Sequence, residues 1–502
     1  MNRRRMLPAA YCLIAAAALL MICSMNSWLY PVNPWVDVNI ISTVGRAMFE
    51  GMVPYRDLVE QKGPLLFALF GLGMKLTPGS YHGLYLLETL AVAGAMYFGW
   101  KTLRLYLPKL SPAWLPVLLV TLTACNVFQM GGSAEEFLLL PVAWSLYDLL
   151  RSWRSGEPMK PGTLVRNGFF AGCILWVKFN LLSFHFVWMA ALALDAVAKD
   201  RRIGRALKMC LWFLAGMALA SVPWLIYFGA NGAIGDLIQS YFVDNLFSYG
   251  ARRYSTPVTI AIGLYVLALR GPVYFGLLAL AGLSVLLVPR RIMAVREKLT
   301  LIAMAVLLAA SMYSRIATNV YYGVMFAVFL PFALLPLRAL ECRRRPEWLE
   351  RTAVRMAAAG GGLAFSVVCA LIACDFTPYI GTDYATLPQA KVAEQVGEGE
   401  TLLSYMTMDG GCYMAADVLP ANRWFTLLNV RHEDCYEEQS GLVAQGVPDW
   451  LVTGWTEDEV PGQRDMKLEH YELAGVYETD YAFGNNDRCY LFKKMDGEGE
   501  EP

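Results

Sequence analysis

The sequence predicts a polytopic α-helical membrane protein of about eleven spans, with a small extracytoplasmic α/β domain at its C-terminus. Three observations predict it. Of 502 residues, 57% are hydrophobic and only 17% charged, with a mean hydropathy of +0.41, an oiliness that soluble chains of this length seldom have. Lys plus Arg and Asp plus Glu number 42 each, yet the basic residues cluster between apolar runs, as they do in cytoplasmic loops. After Asp375 the composition turns abruptly polar and acidic. The charge pattern speaks to topology rather than partners, and the lipid bilayer, not nucleic acid, is the expected environment. Eleven cysteines are scattered with no CxxC pair and no His-rich tract, so most read as small packing residues.

The spans follow in order. MNRRR precedes an apolar run from Met6 to about Tyr30, too long for a signal h-region and lacking a small-residue cleavage site. It reads as an uncleaved first helix with its arginines in the cytoplasm. Residues 63–76 are too short to span and read as an interfacial helix. Further spans are expected at 82–106, 112–129, 137–150, 166–178, 181–198, 209–229, 271–289, 299–313, 323–337 and 353–374. Residues 257–270 read as an external interfacial helix. This order puts every strongly basic loop on one side, the N-terminus in the cytoplasm and the C-terminus outside. The expected localisation is the cell membrane. Residues 1–375 form the membrane domain, with a first external loop at 31–81.

Residues 376–502 form the second domain. DWLVTGW and RCYLFKK read as strands. Cys412, Cys435 and Cys489 allow one disulfide with a thiol left over, and the pairing cannot be read. The tail DGEGEEP reads as disordered.

The polar residues gather in the stretch 33–66. VDVNIISTVGRAMFEG reads as an amphipathic helix, with Val38, Ile41, Val44 and Met48 on one face and Asn39, Ser42, Thr43 and Arg46 elsewhere. Asp37 opens it, where a carboxylate suits the positive end of the helix dipole, and Gly51 marks its end. A loop, VPYRDLVEQKGPL, follows. The topology places Asp37, Arg46, Arg56, Asp57, Glu60, Lys62, Glu135, Glu136, Lys178, Asp244, Arg252, Arg253 and Arg315 outside. Ionisable groups at membrane depth are costly and tend to be functional or paired. Carboxylates beside fixed cations suit a reaction in which a base deprotonates a hydroxyl while cations stabilise a departing phosphate.

The loop motifs resemble those of the GT-C membrane glycosyltransferases, in the bacterial branch of protein O-mannosyltransferase-like, aminoarabinose transferase and rhizobial core galacturonosyltransferase enzymes. The branch's early Asp is Asp37, its G-x-x-P-Y-x-D loop is Gly51, Pro54, Tyr55 and Asp57, and its K-G-P is Lys62-Gly63-Pro64. GGSAEEFLLLP is similar to the second external loop, with Glu135 and Glu136 in the acidic positions. RIATNVYYGVMFAVFLP is similar to the H-Y-Y…P span, although Asn319-Val320 stands where the usual His would be. The resemblance covers roughly residues 1–340. It implies a polyprenyl-phosphate sugar as donor and transfer to an extracytoplasmic acceptor. It implies Asp37 as base, Lys62 near the donor phosphate, and Glu135 and Glu136 lining the same cavity.

The residues themselves add Arg252, Arg253 and Arg315 as phosphate contacts, because guanidinium binds phosphate well. Arg56, Asp57, Glu60 and Lys178 join the cavity lining. Each has a plain structural alternative: a helix cap for Asp37, snorkelling for Lys62, dipole partners for Glu135 and Glu136, lipid headgroups for the arginines. No cofactor is required, and carboxylates alone could hold Mg²⁺ or Mn²⁺. Two other functions compete, a transporter of a lipid-linked saccharide and an inactive membrane scaffold. A transporter would carry charges within spans and show related halves, and neither is visible.

Overall fold

The computed structural model describes residues 3–201, 203–248, 254–315, 318–338, 352–428, 433–454, 467–483 and 486–495. Helices run in chain order as α1 (Arg3–Cys23), α2 (Val36–Phe49), α3 (Pro64–Leu76), α4 (His82–Arg104), α5 (Trp114–Thr123), α6 (Ala134–Ser155), α7 (Pro161–Lys178), α8 (Ser183–Asp200) and α9 (Ile203–Ala230). Then come α10 (Ile234–Leu237), which runs on as a π-helical stretch (Ile238–Ser248), α11 (Thr256–Arg270), α12 (Pro272–Leu287), α13 (Val295–Tyr313) and α14 (Val320–Leu337), which is 3₁₀-wound. The last are α15 (Thr352–Ala373), α16 (Pro388–Gln395), α17 (Cys412–Ala415) and α18 (Glu433–Ala444), with strands β1 (Leu402–Ser404), β2 (Trp450–Thr453), β3 (Tyr471–Phe483) and β4 (Asn486–Lys494). The chain forms two compact units. Unit 1 comprises residues 1–27, 85–224 and 252–378, and unit 2 comprises 28–84, 225–251 and 379–502.

Unit 1 is helical. Among the described residues, four runs are long and apolar enough to cross a membrane: 161–199, α9, α14 and α15. The pair α11 and α12, bent by 120° at Gly271, makes a fifth if counted as one span. By length and composition, four or five spans therefore stand among the described residues. The other expected runs have local features of their own. The run expected at 112–129 is helical only over the ten residues of α5, about 15 Å of rise against a hydrocarbon core of about 30 Å. The first run likewise stops at Cys23 rather than near Tyr30. The helices α4 and α6 are 23 and 22 residues long but carry the buried carboxylates of Glu88, Glu135, Glu136 and Asp148. The sequence expected two short spans, 166–178 and 181–198, where 161–199 is one span candidate, although the backbone at Lys178 leaves the helical region (φ −159°, ψ 89°). With Pro331 and Pro336 inside it, α14 keeps the 3₁₀ rise of about 2 Å per residue, so its 18 residues extend about 36 Å.

Packing in unit 1 follows membrane rules. A Cβ on Gly168 would lie 1.9 Å from the Phe213 carbonyl oxygen and one on Gly216 2.0 Å from that of Val165, so α7 and α9 touch backbone to backbone through small residues. At one end, Arg154 donates to the carbonyls of Ile292 and Leu105, Arg296 pairs with Asp195 at 2.5 Å, and Arg338 donates to the Tyr106 carbonyl. These residues come from segments that the charge pattern assigns to one face.

Unit 2 joins the first external stretch to the C-terminal segment. Its sheet has the order β1-β2-β4-β3, parallel between β1 and β2 and antiparallel elsewhere. The two segments read as strands from sequence are β2 and β4. Leu403, Tyr405, Leu451, Tyr471, Tyr490 and Phe492 form its core with Val443 of α18. The cysteine pairing left open by the sequence resolves as proximity: the buried thiols of Cys412 and Cys489 are in hydrogen-bonding contact, whereas Cys435 donates to the Thr426 carbonyl. All three are free thiols. The acidic tail lies outside the described residues.

The helix expected at the membrane surface is α2, and it is not a surface helix. Its polar positions Asp37, Asn39, Ser42 and Thr43 are as buried as its apolar ones. One side packs on α3 through Gly45, where a Cβ would sit 2.6 Å from both the Gly71 nitrogen and the Phe67 carbonyl oxygen. Gly45→Ala is therefore expected to push α2 off α3 and to cost about 1–3 kcal/mol, as overpacking does, read as a lowered thermal midpoint in detergent.

Candidate active site

Asp37 lies in the first turn of α2, whose N-cap residue is Trp35. It faces Lys62, whose Nζ is 3.6 Å from Asp37 Oδ1 and 3.1 Å from Glu60 Oε1. Side-chain exposures of 9% for Asp37, 11% for Lys62 and 2% for Glu60 make this an ion triad largely withdrawn from water. The second Glu60 oxygen accepts the Lys62 backbone N–H. Burial pushes the Glu60 carboxyl up from its ordinary range, against the pull of Lys62. One ammonium between two carboxylates leaves a net negative site whose cation lies nearer Glu60.

The loop before Lys62 is built around Tyr55. Its backbone is left-handed (φ 72°), a conformation that costs a non-glycine residue energy and persists only where contacts enforce it. Here the fully buried ring packs against Phe67, Phe228 and Tyr241, while its hydroxyl donates to the Lys62 carbonyl at 2.6 Å. Arg56 and Asp57 turn away from the triad. Asp57 accepts from the Val53 N–H and from Arg56, so the Arg56 guanidinium holds the Asp57 carboxyl below its usual range. Arg56 also donates to the Asn231 carbonyl. These two residues close the turn.

Unit 1 carries the remaining predicted residues that the structure describes. Lys178, at the break between α7 and α8, pairs with Glu135 Oε1 at 2.5 Å and stands 3.9 Å over the Tyr322 ring. Glu135 is fully buried, and its other oxygen has no hydrogen-bond partner in the structure. Asn319 donates to the Tyr322 hydroxyl at 3.0 Å, so the residue at the place of the expected His steadies the aromatic wall beside Lys178. Glu136 forms a reciprocal capping box with Ser133 at the start of α6. It also shares a hydrogen bond with the Glu88 carboxyl, which requires one proton between the two acids. Glu88 is held by Ser24 Oγ at 2.8 Å and Asn26 Nδ2 at 3.1 Å.

The structure thus brings Asp37, Glu60 and Lys62 together in unit 2, and Glu135 and Lys178 together in unit 1. Arg315 follows α13 in unit 1, half-buried, and Arg252 and Arg253 lie outside the described residues. Sequence reasoning assigned no role to Tyr55, Glu88 or Tyr322. The Pro-Tyr motif and the paired tyrosines were visible, but nothing local couples Glu88 to a residue 48 positions on. Among the described residues, no three His, Cys, Asp or Glu side chains are grouped to hold a metal ion. Between Asp37 and Glu60 the bridging cation is the Lys62 ammonium. Because Glu135 is buried with one cationic partner, Lys178→Met is expected to cost about 3–5 kcal/mol of stability. Adding Glu135→Gln should recover most of it, which paired thermal midpoints would check.

No family model and no curated protein sequence matches the chain. Solved structures do match. The structure of ArnT from Cupriavidus metallidurans bound to undecaprenyl phosphate superposes with a TM-score of 0.64 at 11% identity, covering 98% of both chains. ArnT from the same organism in the apo state gives 0.62 at 12% identity, covering 96% of this chain and 97% of the other. The chain has the fold of these ArnT structures.

Proposed function

We propose that the protein is an integral membrane glycosyltransferase that moves a sugar from a polyprenyl-phosphate donor to an extracytoplasmic acceptor, a cell-envelope glycan, lipid or protein. The observation that carries the proposal is the withdrawn Asp37–Lys62–Glu60 triad in a chain that superposes along almost its whole length on a protein crystallised with undecaprenyl phosphate. Asp37 accepts the proton of the acceptor hydroxyl. The hydroxyl oxygen bonds to the anomeric carbon as the bond from that carbon to the phosphate oxygen breaks, and the phosphate leaves with the electron pair. Cations stabilise that anion, so no separate general acid is needed. Lys62 is the cation proposed for that role. A single displacement inverts the anomeric configuration.

Glu60 has a definite task in this scheme. By sharing the Lys62 ammonium it keeps the cation in place beside Asp37. The C-terminal segment lies on the extracytoplasmic side in this reading, as does the donor phosphate.

The test is transfer from a panel of radiolabelled polyprenyl-phosphate sugars to cell-envelope acceptors, in membranes with matched amounts of native protein or Asp37→Asn. Native transfer reduced 10²- to 10⁴-fold by the substitution is the expected outcome, the usual range for removing a general base (about 10²–10⁴). Equal transfer by both proteins would remove Asp37 from the chemistry. Glu60→Gln gives an independent check. Removing the nearer partner of Lys62 should lower transfer, because the ammonium is no longer held between the two carboxylates. Undiminished transfer would mean that Glu60 does not hold the cation in place.

A further inference from the structure

The buried polar stripe of α2 asks for an explanation that the chemistry at Asp37 does not supply. At about 100° per residue, Asn39, Thr43 and Arg46 fall within roughly 60° of one another, while Asp37 projects between roughly 120° and 180° round the helix from them. All three stripe residues meet polar partners within unit 2. Thr43 Oγ1 donates to Asp409 Oδ2 at 2.9 Å. Arg46 donates to the Tyr413 carbonyl at 3.0 Å and to Asp417 Oδ1 at 2.7 Å. Asn39 accepts from the Tyr81 hydroxyl and its Nδ2 donates to the Asn33 carbonyl. Gly411, left-handed at φ +102°, passes so close that a Cβ there would lie 3.2 Å from Asn39 Oδ1. A single C-terminal turn, 409–417, therefore holds the side of the helix away from the base.

Asp409 is the centre of that turn. It is fully buried, its Oδ1 accepts the Gly411 N–H at 2.8 Å, and its own N–H donates to Thr426 Oγ1 at 2.7 Å. A buried carboxylate held by several donors is a rigid acceptor, and its link to α2 runs through the Thr43 hydroxyl. Gly45 against Gly71 limits how near α2 comes to α3 but offers no polar register to fix its rotation. The Asp409–Thr43 hydrogen bond does, and so does Arg46 one turn on.

We propose that Asp409 is a positioning residue for Asp37: through Thr43 it sets the rotation of α2 and so aims the Asp37 carboxylate at Lys62. On this account the C-terminal segment is a working part of the candidate site. The proposal deepens the reading of Asp37 as base and rests on it for its catalytic meaning, but not for its structural content.

The test is built to separate the two. In an Asp37→Cys protein, alkylation by a water-soluble maleimide is followed by mass spectrometry on the peptide containing position 37. Adding Asp409→Asn or the isosteric Thr43→Val should speed alkylation at least tenfold, because a helix free to rotate carries the thiol away from Lys62. Thr43→Ser, which keeps the hydroxyl, should leave the rate within twofold. A thermal midpoint on each protein separates rotation from unfolding, and Thr43→Val decides the matter where Asp409→Asn does not fold. Alkylation unchanged in folded Thr43→Val protein overturns the proposal. With Asp37 intact, the same two variants should lower kcat with little change in donor KM, and Thr43→Ser should restore it. If alkylation responds while native membranes transfer no sugar from any donor, the positioning role stands and the glycosyltransferase reading falls.

Discussion

The structure of the candidate site depends on one ammonium group shared between two buried carboxylates. Three charges are removed from water within a few residues of chain, and no one of them could be buried alone at tolerable cost. The Lys62 cation makes the arrangement affordable, and the asymmetry of its distances, 3.1 Å to Glu60 and 3.6 Å to Asp37, gives it a direction. Burial still pushes the nearer carboxyl, that of Glu60, up from its ordinary range. The neighbouring architecture can be read as support for that triad. The left-handed Tyr55 hydrogen-bonds the Lys62 carbonyl, and the Arg56–Asp57 pair closes the turn that leads to it.

The same economy recurs in unit 1. Glu135 is paired with Lys178, and Glu136 shares a proton-requiring hydrogen bond with Glu88 while capping α6. Glu135 and Glu136 are thus compensated by a cation, a cap or a second acid. An apolar surrounding demands this of any charge, functional or not. Compensation alone therefore does not mark a functional group. A group left with unspent capacity is the better marker: the Glu135 oxygen with no hydrogen-bond partner.

Much of the architecture was legible from sequence because it is encoded locally. Helix α2 was read over its true extent, since Val38, Ile41, Val44 and Met48 repeat at helical spacing and Gly51, left-handed at φ +96°, stops it. The break at Gly271 and the strands β2 and β4 were read in the same way, from charge and from β-branched or aromatic runs. The failures are equally physical. Periodicity showed α2 as amphipathic and so placed its polar face at a surface, but it could not show that another part of the chain covers that face. The 112–129 run is apolar enough to span, yet the chain leaves the helix after ten residues at a turn where Gln129, Gly131 and Gly132 take left-handed backbone.

By itself the sequence determined the class of protein, the helix that carries Asp37 and the presence of Lys62 a short loop away, because hydropathy, periodicity and turn residues are properties of neighbours along the chain. Only the tertiary structure decided that Glu60 completes the triad, that Arg56 and Asp57 bind each other instead, and that Thr43 meets Asp409 across 366 residues of sequence. Those outcomes turn on where a side chain finds its charge or hydrogen-bond partner in space. In a dry interior that choice is strongly enforced, and no pattern of nearest neighbours records it.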